Sequence, residues 1–266
     1  MVRRRLAAFA CAVAGVALAL PALAAADAQD PSTNPCRDPS LALVCPDLTM
    51  TPPSDLHVVR AGGSVRLEAT NHIINIGQGP LELRGTRRPG SHTFVKAYQA
   101  IRSRTRGHVF FPEAGWIYWK AIPGQGHYWK YWRAARFELW TLNPDGSHGR
   151  LVRIGPKLSY CFRDLDRVHS WARTPRGAVY PGCSQDVTRR HMQLGVSPGW
   201  ADVYPFSYHE NWISVTGLRG CFAFVHRADP DEELIEQRED NNAGQRIVRL
   251  PPRGGSVAPR GCPGAR

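Results

Sequence analysis

The stretch RFELWTLNPDG, residues 136–146, decides the fold because it joins a strand-like run to one of the strongest turn signals in the chain. Arg136–Leu142 is rich in the aromatic and apolar residues that strands favour. The Asn-Pro-Asp-Gly sequence at 143–146 is typical of a tight turn, and Leu151–Ile154 supplies a second apolar run after it. The two runs and the turn predict a β-hairpin.

Outward from this hairpin, the chain repeats the same design of short apolar runs separated by turn residues. Alternating apolar side chains, as at Val65, Leu67 and Ala69, indicate strands, and helical periodicity is not sustained after the N-terminus. Residues 84–108 are predicted to form a long basic loop. The further predicted strands are Ser64–Ile76, Leu81–Leu83, His108–Phe111, Trp116–Trp119, Trp212–Thr216, Cys221–Arg227 and Gln245–Leu250. We therefore expect an all-β fold, a β-sandwich with long loops.

The N-terminus has the features of a signal peptide, which we place at residues 1–26. A basic start at Met1–Arg5 precedes the apolar run Leu6–Leu20 and small-residue cleavage sites at 22–26. Beyond it, no stretch approaches the roughly 18 apolar residues that cross a bilayer. The sequence therefore predicts a secreted or extracytoplasmic protein, in the periplasm or cell envelope, with no transmembrane segment after processing.

Composition divides the remaining chain into three parts. A leader loop covers 27–44, a sandwich domain covers 45–250, and a tail rich in Pro, Gly and Arg covers 251–266. We expect the tail to be loosely held except near Cys262.

Six cysteines follow the signal peptide, and an even number in an exported chain predicts three disulfides. Cys36–Cys45 closes a short loop and is the best-supported pair. Cys161–Cys183 and Cys221–Cys262 follow only from proximity in sequence, so their connectivity stays open. The absence of a Cys-x-x-Cys pair argues against a cysteine zinc site or a redox dithiol.

The chain is strongly basic, with 34 Lys and Arg residues against 22 Asp and Glu residues. Arginine carries most of this charge, and the densest cluster is Arg102–Arg106. A basic chain attracts nucleic acid or other polyanions. Export, and the lack of a recognition helix or an RNA-binding aromatic strand, argue against nucleic acid. We therefore expect an acidic partner in the cell envelope.

Five short motifs, taken in chain order, match the motifs of one enzyme family. They are CPDL (45–48), GHYW followed by RFEL (126–129 and 136–139), GPKLSYC (155–161), QLGVSPGWADVY continued by NWISVTG (193–204 and 211–217), and EQREDNN (236–242). Together they resemble the lysyl oxidase family of copper amine oxidases, over roughly residues 45–250. The resemblance implies a β-sandwich of the lysyl-oxidase type.

The resemblance also implies a chemistry. In that family a lysine amine adds to an oxidised tyrosine ring, and the resulting lysine tyrosylquinone forms a Schiff base with a primary amine such as peptidyl lysine. Lys157 and Tyr204 stand at the matching positions and are the implied quinone precursors. Asp202 lies two residues before Tyr204, on the same strand face, and is our candidate for the base that removes the α-proton.

The implied copper site departs from the family pattern, His-x-His-Tyr-His. Aligned through Arg136–Leu139, the three histidine positions fall on Gln125, His127 and Trp129, so His127 is the one remaining copper ligand. Imidazole suits copper, whereas an indole cannot ligate a metal. Two functions therefore stay open: a copper-dependent amine oxidase, or a non-catalytic binding module for a polymer or protein of the cell envelope.

The resemblance further implies a calcium site built from oxygen ligands. The implied ligands are Asp47, the Leu48 carbonyl, Glu236, Asn241 and Asn242. Arg238 stands where the family has an acidic ligand. The alternative interpretation is a hairpin turn whose Asn side chains bond to the backbone.

Aromatic side chains are unusually dense between residues 116 and 132. Such residues normally fill a sandwich core, but alternation along a strand requires some of them to face outward. Exposed aromatic rings beside arginines suit stacking on sugars or contact with cations. The cluster comprises Trp116, Tyr118, Trp119, Tyr128, Trp129, Tyr131 and Trp132.

Overall fold

The structure is a computed structural model that describes residues 34–88, 90 and 93–265. The predicted signal peptide and the start of the leader loop lie outside the described residues. Within the described part of the chain, no helix is both long and apolar enough to span a membrane.

Seventeen strands are present in the described residues, and the helical content there is a single 3-10 turn at Pro35–Arg37. The strands are β1 Leu43–Val44, β2 Leu48–Met50, β3 Ser54–Ala61, β4 Ser64–Asn75, β5 Leu81–Thr86, β6 Phe94–Ser103, β7 Gly107–Phe111, β8 Trp116–Ile122, β9 Gly126–Tyr131, β10 Ala135–Leu142, β11 His148–Ile154, β12 Asp166–Arg167, β13 His191–Val196, β14 Trp200–Tyr204, β15 Trp212–Ser214, β16 Gly220–Ala228 and β17 Ala243–Leu250. The all-β prediction is confirmed.

The strands form three antiparallel sheets. One has the order β13-β5-β6-β8-β9, with β1 and β7 also paired to β6; a second has the order β11-β10-β16-β17. The third has the order β12-β14-β4-β15, with β2 and β3 also paired to β4. Strands β16 and β17 contact β2, and β10 and β11 contact β15, so the second and third sheets pack against each other as a sandwich.

The hairpin predicted from residues 136–154 is confirmed. Strand β10 pairs with β11, with Glu138 opposite Ile154, and the turn between them is closed by Asn143 and Asp145. On its inner face, Phe137 meets Phe224 of β16 edge to face. Burial of such rings between two sheets is the main source of stability in a sandwich.

The predicted loop over 84–108 is wrong, because most of it forms strands β6 and β7 and their turn. In β6 the side chains of Val95 and Ala97 are buried, whereas Phe94 and Lys96 face outward. This is regular strand alternation. The basic and aromatic residues on the solvent side concealed the small apolar residues on the core side.

All three predicted disulfides are present: Cys36–Cys45, Cys161–Cys183 and Cys221–Cys262. Disulfides of this kind are typical of oxidising compartments outside the cytoplasm. The C-terminal tail is also held more firmly than expected, because the backbone N–H of Arg249 donates to the Val257 carbonyl at 3.0 Å.

Candidate functional site

The structure brings Lys157 and Tyr204 together in the interior. Tyr204 is the last residue of β14, and Lys157 lies in the segment that follows β11. Both side chains are buried, and Lys157 Nζ is 4.1 Å from the centroid of the Tyr204 ring. The two residues that the family resemblance paired are therefore direct neighbours.

Two further tyrosines complete a cage around the Lys157 ammonium group. Its Nζ atom lies 4.3 Å from the Tyr208 ring centroid and 4.9 Å from that of Tyr160. Tyr160 and Tyr208 each meet Tyr204 edge to face, with ring centroids 4.7 Å apart. Aromatic faces attract a cation, so the cage offsets part of the cost of burying the amine.

Hydrogen bonds hold the cage in place from behind. The Tyr204 hydroxyl accepts a hydrogen bond from the Cys161 backbone N–H at 3.0 Å. The Tyr160 hydroxyl donates to Asn71 Oδ1 at 2.7 Å. These bonds give both rings one orientation.

Lys130 is a second buried lysine at this site, and the sequence analysis missed it. Its Nζ atom lies 5.1 Å from the Tyr204 ring centroid and 3.4 Å from the Tyr208 hydroxyl. A lysine within the aromatic run of β9 was the available signal, since lysine is seldom buried without a special partner. The site therefore contains two amines rather than one.

The orientation of β9 corrects the predicted copper position at His127. The ring of His127 is exposed and stacks on Trp119, with ring centroids 5.7 Å apart. The indole of Trp129 donates to the Asp186 carbonyl, on the side away from the cage. Lys130 instead faces the cage, and strand alternation places Tyr128 on the same face of β9 as Lys130. The alignment through Arg136–Leu139 would require His127 to face the site. In the structure, Lys130 faces it and His127 lies on the opposite face of β9.

The residues around the cage do not fit copper. In the part of the chain that the structure describes, one group of three or more metal-ligating side chains converges: Asp229, Glu236 and Glu239. This group contains no imidazole, and His127 does not belong to it. Copper(II) prefers several nitrogen ligands, and none of the cage residues named above offers an imidazole.

Asp202 is the buried counter-charge of the site. Its Oδ2 atom accepts a hydrogen bond from the Phe162 N–H at 3.1 Å, and Arg163 Nε lies 3.8 Å from Oδ1. Burial raises the pKa of Asp202 to about 7, while Arg163, Lys130 and Lys157 oppose this shift. Asp202 thus lies near the cations of the site; its role as a base stays a prediction.

Burial has the opposite effect on the two amines, because it penalises the charged form. It lowers the pKa of Lys130 to about 8, and Asp202 partly counters the shift. Burial also lowers the pKa of Lys157 well below its usual range, and the neighbouring Lys130 adds to this effect. Both amines therefore lose their protons more readily than an exposed lysine does.

The five residues of the implied calcium site also converge. Asn241 Nδ2 donates to Asp47 Oδ1 at 2.8 Å, and Asn242 Nδ2 donates to Glu236 Oε1 at 3.1 Å. The backbone N–H of Leu48 donates to Glu236 as well. The C-terminal hairpin is thereby tied to the opening strand β2.

Two more carboxyl groups join this cluster, and the sequence analysis did not include them. Oxygen atoms of Asp229, Glu236 and Glu239 lie within 4.8 Å of one another. Buried Glu239 Oε2, Asn241 Oδ1 and Asn242 Oδ1 have no hydrogen-bond donor in the described structure. An oxygen-rich, under-satisfied cluster is the arrangement that calcium prefers.

The aromatic cluster divides between core and surface. Trp129 and Tyr131 are fully buried. Trp116 is exposed and meets Phe94 of β6 edge to face at 6.4 Å. Phe94 in turn stacks on Tyr118 at 5.2 Å. Core packing is therefore confirmed for Trp129 and Tyr131, whereas Trp116 faces solvent.

No family model matches this chain, and no curated protein does either.

Proposed function

We propose that this chain is an exported, lysyl-oxidase-like β-sandwich that does not oxidise amines and instead binds an acidic partner in the cell envelope. The observation that carries the first half is Lys130. Its ammonium group faces Tyr204 from β9, the strand that the resemblance implies as the copper strand.

A lysine at this position opposes copper binding in two ways. With a pKa of about 8, Lys130 is mostly protonated at neutral pH, and a protonated amine has no lone pair for a metal. Its positive charge also repels a divalent cation in an environment where charges are poorly screened. The two cations Lys130 and Lys157 already occupy the ring faces of the cage.

The direct contact of Lys157 with Tyr204 supports descent from the lysyl oxidase family. The two residues are 47 positions apart in sequence, and their side chains have no need to meet in an arbitrary sandwich. We interpret the pair as retained structure, in which the tyrosine cage stabilises a buried cation.

The test is peptide-mapping mass spectrometry of the mature protein after exposure to copper and air. We expect the peptides that contain Lys157 and Tyr204 to be separate and unmodified, as in the Tyr204→Phe variant used as a control. A covalent link between them, with the mass of the quinone and absent from the variant, would overturn the proposal.

The second candidate function is amine oxidation, and the contact between Lys157 Nζ and the Tyr204 ring favours it. In that case Lys157 and Tyr204 would form the quinone, Asp202 would act as base, and the substrate would be a primary amine or peptidyl lysine. The same mass spectrum decides between the two candidates.

The binding half of the proposal rests on the outer face of β6, β7 and β8. Phe94, Phe110 and Trp116 are 47%, 52% and 39% exposed there. Lys96 Nζ lies 5.9 Å from the Trp116 ring, and the Arg84 guanidinium lies 5.6 Å from the Phe110 ring. Aromatic rings interleaved with cations suit an acidic carbohydrate or similar polymer.

Sedimentation of the protein with cell-wall material, before and after removal of the acidic polymers, tests the binding proposal. Equal amounts of sedimented protein in the two cases would contradict it.

We also propose that the acidic cluster binds calcium as a structural ion. Asp47, Glu236, Asn241 and Asn242, with Asp229 and Glu239, would supply the oxygen ligands. Arg238 forms an exposed ion pair with Asp240. The ion would satisfy the acceptors that lack hydrogen-bond donors.

A further inference from the structure

The C-terminal segment 251–262, called the strap here, is fixed by a hydrogen bond to β17, by a turn of its own and by a disulfide to β16. The Arg249 N–H donates to the Val257 carbonyl at 3.0 Å. Arg253 and Ser256 exchange backbone hydrogen bonds of 2.9 and 3.0 Å in a tight turn. The Cys221–Cys262 disulfide joins the end of the strap to β16. The strap therefore has a defined shape.

A cavity of about 670 Å³ opens beside the strap, and three arginines line it. Arg249 comes from β17, Arg253 from the tight turn and Arg260 from the far end of the strap. The other residues that line the cavity are neutral, and no Asp or Glu occurs in the sequence from residue 243 onward. The cavity is thus a concentration of positive charge without a local counter-charge.

Two polar groups are already oriented within this cavity. Arg249 Nη1 donates to the Arg260 carbonyl at 2.9 Å, which fixes the direction of its guanidinium group. The Ser256 hydroxyl accepts from the Ala258 N–H at 3.2 Å, so its own hydrogen is directed elsewhere. Preorganised donors reduce the cost of ordering them around a ligand.

A second cavity, of about 960 Å³, lies on the other side of the strap. Ser256 and Ala258 line both cavities, so the two are adjacent, and Arg246 and Gln245 of β17 line the second one. Adjacent cavities on one basic segment suit a chain-like ligand with repeated anionic groups better than a single small anion.

We infer that the strap binds the phosphate groups of an anionic polymer. This inference rests on the proposed binding of an acidic partner. It adds a second contact site, separate from the outer face of β6, β7 and β8, and names the ligand chemistry of that site. Guanidinium groups bind phosphate through paired, charge-assisted hydrogen bonds. A tetrahedral phosphate can accept from several donors that converge from different directions, whereas a planar carboxylate best matches one coplanar fork. Arg249, Arg253 and Arg260 reach the cavity from three separate backbone positions, which favours phosphate.

The test measures binding of a short linear polyphosphate to the mature protein by isothermal titration calorimetry at fixed salt. The test variant is Arg253→Gln with Arg260→Gln. The matched control is Arg150→Gln with Arg153→Gln, which removes the same charge from exposed positions on β11, at the opposite edge of the same sheet. We expect at least about tenfold weaker binding for the strap variant and less than about threefold for the control. Thermal unfolding of each variant verifies that it is folded.

Three results would overturn the inference: no binding of polyphosphate by the wild-type protein, equal losses in the two variants, or equally tight, strap-dependent binding of polyglutamate. Sedimentation with acidic cell-wall material separates failure of this inference from failure of the proposed binding function. If the wild-type protein sediments with acidic cell-wall material and the strap variant does so equally, only the location and ligand class fail. If the wild-type protein does not sediment at all, the binding function fails as well.

Discussion

At the scale of single residues, the interior of this protein is defined by two lysines among tyrosines. Lys157 was identified from its motif, whereas Lys130 emerged only from the orientation of β9. The two amines share the Tyr204 and Tyr208 rings, and both lower the pKa of the buried Asp202 carboxyl group against the effect of its burial. The sequence therefore identified Lys157 and Tyr204 but not Lys130, because a motif names residues but not the strand face on which a neighbouring side chain lies.

Tyr204 has a structural role that a conservative variant can measure. In Tyr204→Phe the buried Cys161 N–H loses its acceptor, so we expect the free energy of unfolding to fall by about 1–3 kcal/mol. Urea denaturation gives this value. Tyr128→Phe removes a hydroxyl that bonds to the Gln125 carbonyl at an exposed position, and it should cost less than about 0.5 kcal/mol. Equal effects would contradict the assignment.

At the scale of elements, the hairpin that carries Glu236 brings three strands into one acidic cluster. Asp47 precedes β2, Asp229 follows β16, and Asn242 precedes β17. Each carboxyl group is unremarkable in the sequence. Their convergence depends on pairing between strands that are far apart along the chain, and sequence spacing does not encode it.

The acidic cluster predicts how stability depends on pH. Burial raises the pKa of Asp229 to about 8 from its model-compound value of 3.8. The folded protein therefore holds a proton that the unfolded chain has lost, and stability falls as pH rises from about 4 through 8. Without calcium, we expect unfolding to become easier by about 2 kcal/mol or more between pH 5 and 8.

Calcium should remove most of this loss, because the ion replaces the protons as the partner of the carboxylates. Thermal unfolding at pH 7.5, with calcium and with a chelator, measures the effect. Glu239→Gln should reduce the calcium-induced shift, whereas Glu113→Gln, at an exposed site, should leave it unchanged. A wild-type protein that unfolds at the same temperature in both solutions would rule out the calcium proposal.

At the scale of the whole molecule, two of the three disulfides tie the terminal segments to the sandwich. The loop between Cys221 and Cys262 spans 41 residues, and that between Cys36 and Cys45 spans 9. The first also anchors the strap, so global stability and the proposed anion site depend on the same covalent bond.

Removal of Cys221–Cys262 by paired Cys→Ser substitutions should lower the free energy of unfolding by about 4 kcal/mol, and removal of Cys36–Cys45 by about 2.5 kcal/mol. The longer loop gains more freedom in the unfolded chain, which is the reason for the difference. Urea denaturation measures both values. Only the first variant should also bind polyphosphate more weakly; loss of binding in the second would argue that the strap is not the site.

Several properties follow from the sequence alone, because they depend on local pattern. Turn residues and period-two alternation specify the all-β class and the β10–β11 hairpin. The even cysteine count predicts three disulfides, while the structure decides their connectivity. Other properties are decided only by tertiary structure, because alternation shows that a strand has two different faces but not which face meets which neighbour. For this reason the sequence pointed to His127, whereas the structure shows Lys130 beside Tyr204. The same non-local pairing unites Asp229 with Glu236 and folds the arginines of the strap around one cavity.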